Sequence, residues 1–254
     1  MKHKVILLLA LFTASFNGNA LSVADADSLS ARAARAYASG DAAMALALYD
    51  SVATHYTSAT LFYNMGNCHY RSGDMAMAIL NYERAHRLAP GNEDILANLE
   101  LTRSQLKDRI GELPSFSLGS WWEAFRGGAD PDQWARRSLW SCVAFFALLG
   151  MSLYIRSTGI RKGVLVASVT TLVGMFISLF MAYGRHADLN DRSSAIIMEP
   201  KVDVRSTPSA KGPVLFMLHK GTKVKLLQQQ EGWQEVKLTN GSVGWMPEGS
   251  LERI

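Results

Sequence analysis

The side chains able to do covalent or metal chemistry are few, and their spacing suits neither. Six histidines and two cysteines occur in 254 residues. His55, His69 and His86 fall in one region, but their separations match no zinc spacing. Cys68 adjoins His69 at a helix-packing position, so a small buried hydrophobe is the simpler reading. Cys142 lies inside an apolar block and cannot reach Cys68 within one chain. Two cysteines make neither a disulfide framework nor a four-thiolate zinc site, and no Cys-x-x-Cys-His run offers heme attachment. No nucleophile is accompanied by a base and an orienting group. The expectation is a protein that is not an enzyme and has no cofactor, no metal and no catalytic residue.

Composition narrows the class further. The chain is 48% hydrophobic and only 19% charged, low for one soluble domain of this length. Twenty-six basic residues against 22 acidic ones leave a net charge of +4. So small an excess, without a dense basic stripe, gives no reason to expect nucleic acid. The apolar residues concentrate near the N-terminus, at 139–155 and at 163–183.

Residues 1–20 have the form of a signal peptide. Lys2 and Lys4 precede an apolar run from Val5 to Phe12, and small residues Gly18 and Ala20 place cleavage after Ala20. The alternative is an uncleaved anchor. No cysteine near the cleavage position would allow a lipoprotein.

Residues 21–109 carry a period. Tyr37, Gly40, Asp41, Ala45 and Tyr49 recur as Tyr70, Gly73, Asp74, Ala78 and Tyr82, each displaced by 33 positions. That period predicts paired helices stacked as a solenoid. Phe62, Met65, Gly66, His69 and Tyr70 share one helix side. Gly66 admits a close neighbour, Asp74 caps the next helix, and Pro90-Gly91 breaks it. Asn92 or Asp94 caps a third helix over 94–109, with Ile95, Leu99, Thr102 and Leu106 on one face. This pattern resembles the tetratricopeptide repeat family. The resemblance implies a concave groove for a peptide or protein, with Asn64, Asn67, Arg71, Asn98 and Arg103 as candidate lining residues. For each of these a plain solvated role is the alternative. Two repeats and a closing helix are fewer than the three units usually needed. The array is therefore expected to lean on a partner, a second copy or the membrane.

Residues 110–137 read as an aromatic interfacial linker, with Trp121, Trp122, Phe125 and Trp134 as anchors and a short surface helix over 118–126. Transmembrane helices are expected at 138–155 and 163–183. At about 1.5 Å per residue the first is short for a bilayer and the second spans it fully. The seven-residue turn 156–162 forces a hairpin, so both flanking domains share one side. Arg156, Arg161 and Lys162 favour a cytoplasmic turn, although Arg136, Arg137 and Arg185 weigh the other way. Gly150, Ser152, Gly174 and Ser178 are candidates for close helix packing.

After a linker at 184–194, residues 195–254 alternate like short strands. Turn signals stand at Pro208–Pro213, Lys220-Gly221 and Asn240-Gly241. Five or six strands predict a small β barrel with Val204, Leu218, Val224, Trp233, Val236 and Trp245 in its core. Val204-Arg205-Ser206, Gly221-Thr222, Gly232-Trp233 and Gly244-Trp245 resemble the bacterial SH3 family. That resemblance implies binding of peptides or cell-wall material. Trp233 and Trp245 either pack in the core or line a shallow groove.

The expected fold class is thus a multidomain α + β membrane protein with a helical solenoid, a two-helix hairpin and an SH3-like barrel. The whole order, with Tyr63-Asn64-Met65-Gly66-Asn67, Pro90-Gly91-Asn92-Glu93-Asp94-Ile95 and Leu218-His219-Lys220-Gly221-Thr222, resembles the BatE-type proteins of the Bacteroidetes aerotolerance group. The resemblance implies a bacterial inner-membrane scaffold with repeats and C-terminal domain in the periplasm, acting in aerotolerance or envelope stress. Its implied partners are other Bat-type membrane proteins with von Willebrand A domains and a MoxR-type ATPase. Peptidoglycan bound or sensed through the C-terminal domain is the alternative.

Overall fold

A computed structural model describes residues 21–108 and 131–254. The signal-peptide expectation for 1–20 lies outside the described residues, as do Trp121, Trp122, Phe125 and the surface helix expected over 118–126. Five helices form the N-terminal unit: α1 (Val23–Ala38), α2 (Ala42–Ala53), α3 (Ala59–Arg71), α4 (Met75–Leu88) and α5 (Glu93–Ser104). Each begins at a side chain that accepts the first free amides: Ser22, Asp41, Ser58, Asp74 and Asn92. Such caps matter because the first turn has no internal acceptors. Gly40 and Gly73 close the α1–α2 and α3–α4 turns at φ +98° and +82°, where a side chain would be strained.

The helices pair by burying small and aromatic side chains. Ala33, Ala45, Tyr49, Val52, Leu61, Met65 and Cys68 form one core between the repeats. Gly66 lets the Tyr82 ring lie against the α3 backbone, for a Cβ there would stand 2.6 Å from two ring carbons.

Two further helices, α6 (Pro131–Tyr154) and α7 (Thr158–Asn190), pack along each other as a hairpin. Both are long and apolar enough to cross a membrane. Only residues 155–157 separate them, so Arg161 and Lys162 sit on α7 itself. Among the described residues, Ser152, Ser168, Ser178 and Arg185 are the buried polar groups of the hairpin. The hydroxyls of Ser152 and Ser168 donate within their own helices, to Leu149 and Leu165, which spares hydrocarbon an unsatisfied donor. Gly150 and Gly174 have open space where a Cβ would stand, so these glycines do not bring the helices together.

The C-terminal unit corrects the expected barrel. Seven strands, β1 (Ser194–Ile197), β2 (Lys201–Arg205), β3 (Val214–His219), β4 (Lys223–Gln230), β5 (Trp233–Lys237), β6 (Val243–Pro247) and β7 (Leu251–Arg253), form one antiparallel sheet. Their order is β3-β2-β6-β5-β4-β1-β7. β3 pairs only with β2 and β7 only with β1, so the sheet is open and not closed into a barrel. The reason lies at the β7 end. Arg84 and Arg87 of α4 donate to the main-chain oxygens of Arg253 (2.8 Å) and Ile254 (2.6 Å). A helix of the repeats, rather than β3, meets that edge. Val204, Leu218, Val224, Val236 and Met246 fill the sheet core.

Candidate functional site

The repeats and the sheet share one continuous core. Ile196 and Ile254 join Ile79, Leu80, Tyr82 and Leu99 in a single buried cluster, with Leu106 and Met198 packed on it. The short array thus leans on its own C-terminal sheet. This differs from the expected partner, second copy or membrane. Gly221, at φ +95°, permits the contact: a Cβ there would stand 2.6 Å from Leu106 Cδ2.

Charged groups surround this core. Glu83 of α4 is 3% exposed and faces Lys223 Nζ at 2.7 Å and the Arg103 guanidinium. Burial pushes its carboxyl up, but Lys223 and Arg103 outweigh it and hold the group below the usual carboxylate range. Asp108 accepts from the His219 main-chain N–H (2.6 Å) and the Thr222 hydroxyl (3.1 Å), while His219 Nδ1 stands 2.7 Å from its other oxygen. Those bonds overcome partial burial and lower the Asp108 pKa. Asp74 caps α4 and also pairs with Lys220 at 3.0 Å. Arg87 adds a bond to the Asp191 oxygen at the foot of the sheet, and Arg185 of α7 donates to the Arg87 oxygen at 3.3 Å. The hairpin, repeats and sheet are therefore mechanically joined.

The candidate groove residues take different places. Asn67 accepts from the Tyr82 hydroxyl (2.7 Å) and from Asn98 (3.1 Å), which also donates to Tyr63 (2.9 Å). These four side chains tie α3, α4 and α5 together. Arg71 donates to the Tyr37 carbonyl at 2.9 Å and lies over its ring. Arg103 belongs to the Glu83 cluster instead. Asn64 stands apart, on a cavity of about 360 Å³ lined also by Asp27, Ser30, Val52 and Leu61. On the sheet, Trp245 is 8% exposed and packed. Trp233 is half-buried and borders a cleft of about 780 Å³ with Lys201, Asp203 and Arg205.

Sequence reasoning passed over Glu83, Asp108, Lys223 and His219. Glu83 and Asp108 both fall within expected helices, where a charged side chain is ordinarily solvated. Only the approach of a distant segment buries them.

Burial pushes the Cys68 thiol up to about 11, with the Asp50 charge adding to it, which leaves it protonated and unreactive. Burial likewise lowers the His69 pKa, against the pull of Asp74. Among the described residues no three His, Cys, Asp or Glu side chains gather as a metal site.

No curated protein matches the chain. Two segments match family models: residues 59–92 the tetratricopeptide repeat, and residues 200–252 the bacterial SH3 domain. Both are modules that bind other molecules and neither is catalytic, so the chain is a non-enzymatic protein built from a repeat region, an SH3-type domain and two helices long and apolar enough to cross a membrane.

Proposed function

We propose that the chain is a membrane-anchored periplasmic scaffold on which the repeats and the SH3-type domain act as one platform. The observation that carries this reading is the shared core and the Glu83 cluster. They fuse two binding modules while leaving the Asn64 cavity and the Trp233 cleft open. Fixing two sites on one body raises the effective concentration for a partner touching both. The resemblance to BatE-type proteins supplies the partner set: membrane proteins with von Willebrand A domains and a MoxR-type ATPase, serving aerotolerance or envelope stress in the bacterial inner membrane. The test is affinity purification of tagged full-length protein from gently solubilised native membranes, with and without cross-linking. Recovery of those proteins supports the reading. Recovery of the bait alone in both preparations refutes it.

The Trp233 cleft favours a second reading, cell-wall binding. Its rim mixes an indole with Glu199, Lys201, Asp203 and Arg205, which suits a ligand carrying both amines and carboxylates. Full-length protein that washes off purified peptidoglycan would dismiss it.

A further inference from the structure

The two inter-repeat grooves are not alike, and the 33-residue period explains why. Tyr63 stands between α3 and α5, where its hydroxyl accepts from Asn98 and its ring leans on Tyr82 with centroids 5.9 Å apart. The residue 33 positions earlier is Ser30, and the counterpart of Asn67 is Ala34. The groove between α1 and α3 therefore lacks the side chains that Tyr63 and Asn67 place in its neighbour, and Tyr49 and Tyr56 border it from α2 and the turn after it. What remains there is the cavity of about 360 Å³.

The walls of that cavity describe its occupant. Ala26, Val52 and Leu61 make an apolar floor, exposed Val23 stands at the rim, and Asn64 supplies a polar head group. Asp27 is the single charged residue of the lining. The surrounding segment 21–64 holds Asp25, Asp27, Asp41 and Asp50 against Arg32 and Arg35, so it is acidic within a chain of net charge +4. An apolar floor beside the one carboxylate of Asp27 is complementary to a long aliphatic stem ending in a cation. The partial positive charge at the start of α3, roughly half a unit, is smaller than the full charge of Asp27.

We propose that this first inter-repeat cavity receives a lysine or arginine side chain of a partner protein, with the stem on Val52 and Leu61 and the head at Asp27 and Asn64. The inference rests on the scaffold reading and names the chemistry of the segment its repeats select. The second groove, closed by Tyr63, takes no such anchor.

The test uses full-length protein in detergent micelles and three capped tripeptides, Gly-Lys-Gly, Gly-Glu-Gly and Gly-norleucine-Gly, followed by ligand-observed NMR. The lysine peptide is expected to bind best. Asp27→Asn is expected to lower its affinity about fivefold, as befits a partly exposed ion pair, and to leave the norleucine peptide unchanged. Ser30→Tyr places in the first repeat the residue the second already accommodates, and is expected to abolish binding of the lysine peptide without lowering thermal stability. Equal or tighter binding of the glutamate peptide, no binding of the lysine peptide, or indifference to both substitutions overturns the proposal. The scaffold reading is judged separately: native partners that still co-purify with the Ser30→Tyr protein leave the scaffold intact and remove the cavity from it.

Discussion

Replacing Glu83 by glutamine should loosen the sheet from the repeats. The carboxylate is almost fully buried, and two cations converge on it, Lys223 at 2.7 Å and Arg103. Removing one member of a buried ion pair costs about 3–5 kcal/mol when the stranded charge stays buried. Here the cations keep an exit to water, since the Lys223 and Arg103 side chains are 36% and 41% exposed. Glutamine also retains one acceptor. The expected loss is therefore smaller, about 2–3 kcal/mol, comparable to one or two charge-assisted hydrogen bonds. At about 1.4 kcal/mol per factor of ten, the docked-to-undocked ratio falls roughly 30- to 150-fold. Hydrogen exchange on the full-length protein in micelles reads this directly, because α4 and β4 amides should lose protection by that factor while α1 and α2 do not. The pH dependence has a definite sign. A carboxyl whose folded pKa lies below its unfolded value stabilises above the unfolded value and loses that contribution as pH falls through the folded one. Protection of wild-type α4 and β4 should thus be full at neutral pH and drop below the ordinary glutamate pKa of 4.5. The Glu83→Gln protein should show a shallower drop, retaining the share due to Asp74 and Asp108, which are also lowered. Protection that is equal in both proteins at neutral pH would refute the claim that this cluster holds the two units together.

Three further outcomes follow from the geometry. Gly66→Ala puts a methyl group 2.6 Å from the Tyr82 ring and should lower stability by about 1–3 kcal/mol. Chemical denaturation followed by tyrosine environment measures it, and a neutral result contradicts the α3–α4 packing. Gly221→Ala meets both a positive φ and Leu106. It should loosen the interdomain contact with little effect on the repeats, seen as faster proteolysis near residue 108 alone. Cys68, buried and with its thiol pushed up to about 11, should resist maleimide in the folded protein and react once denatured. Prompt labelling of native protein would show the inter-repeat core to be open.

The amino-acid sequence by itself determined what depends on local periodicity. The 33-residue recurrence from Tyr37 to Tyr70 marks helix pairs because each helix must bury one face every 3.6 residues. The uncharged stretches at 138–155 and 163–183 mark two helices long and apolar enough to cross a membrane, because hydrocarbon tolerates little else. Alternation in Val202–Val204 marks a strand because successive side chains point to opposite sides. Tertiary structure alone decided how these pieces meet. Nothing around Glu83 distinguishes a buried charge from a solvated one until Lys223, 140 positions away, arrives beside it. Leu106 reads as part of a helix stripe, yet it lies past the end of α5 and packs on Gly221. The strand pattern near the C-terminus fits a closed barrel and an open sheet equally well. The choice fell to Arg84 and Arg87, which occupy the β7 edge from another unit. The cavity beside Asp27 shows both levels at once: the sequence places serine where its repeat places tyrosine, and the packing of α1 on α3 turns that difference into space.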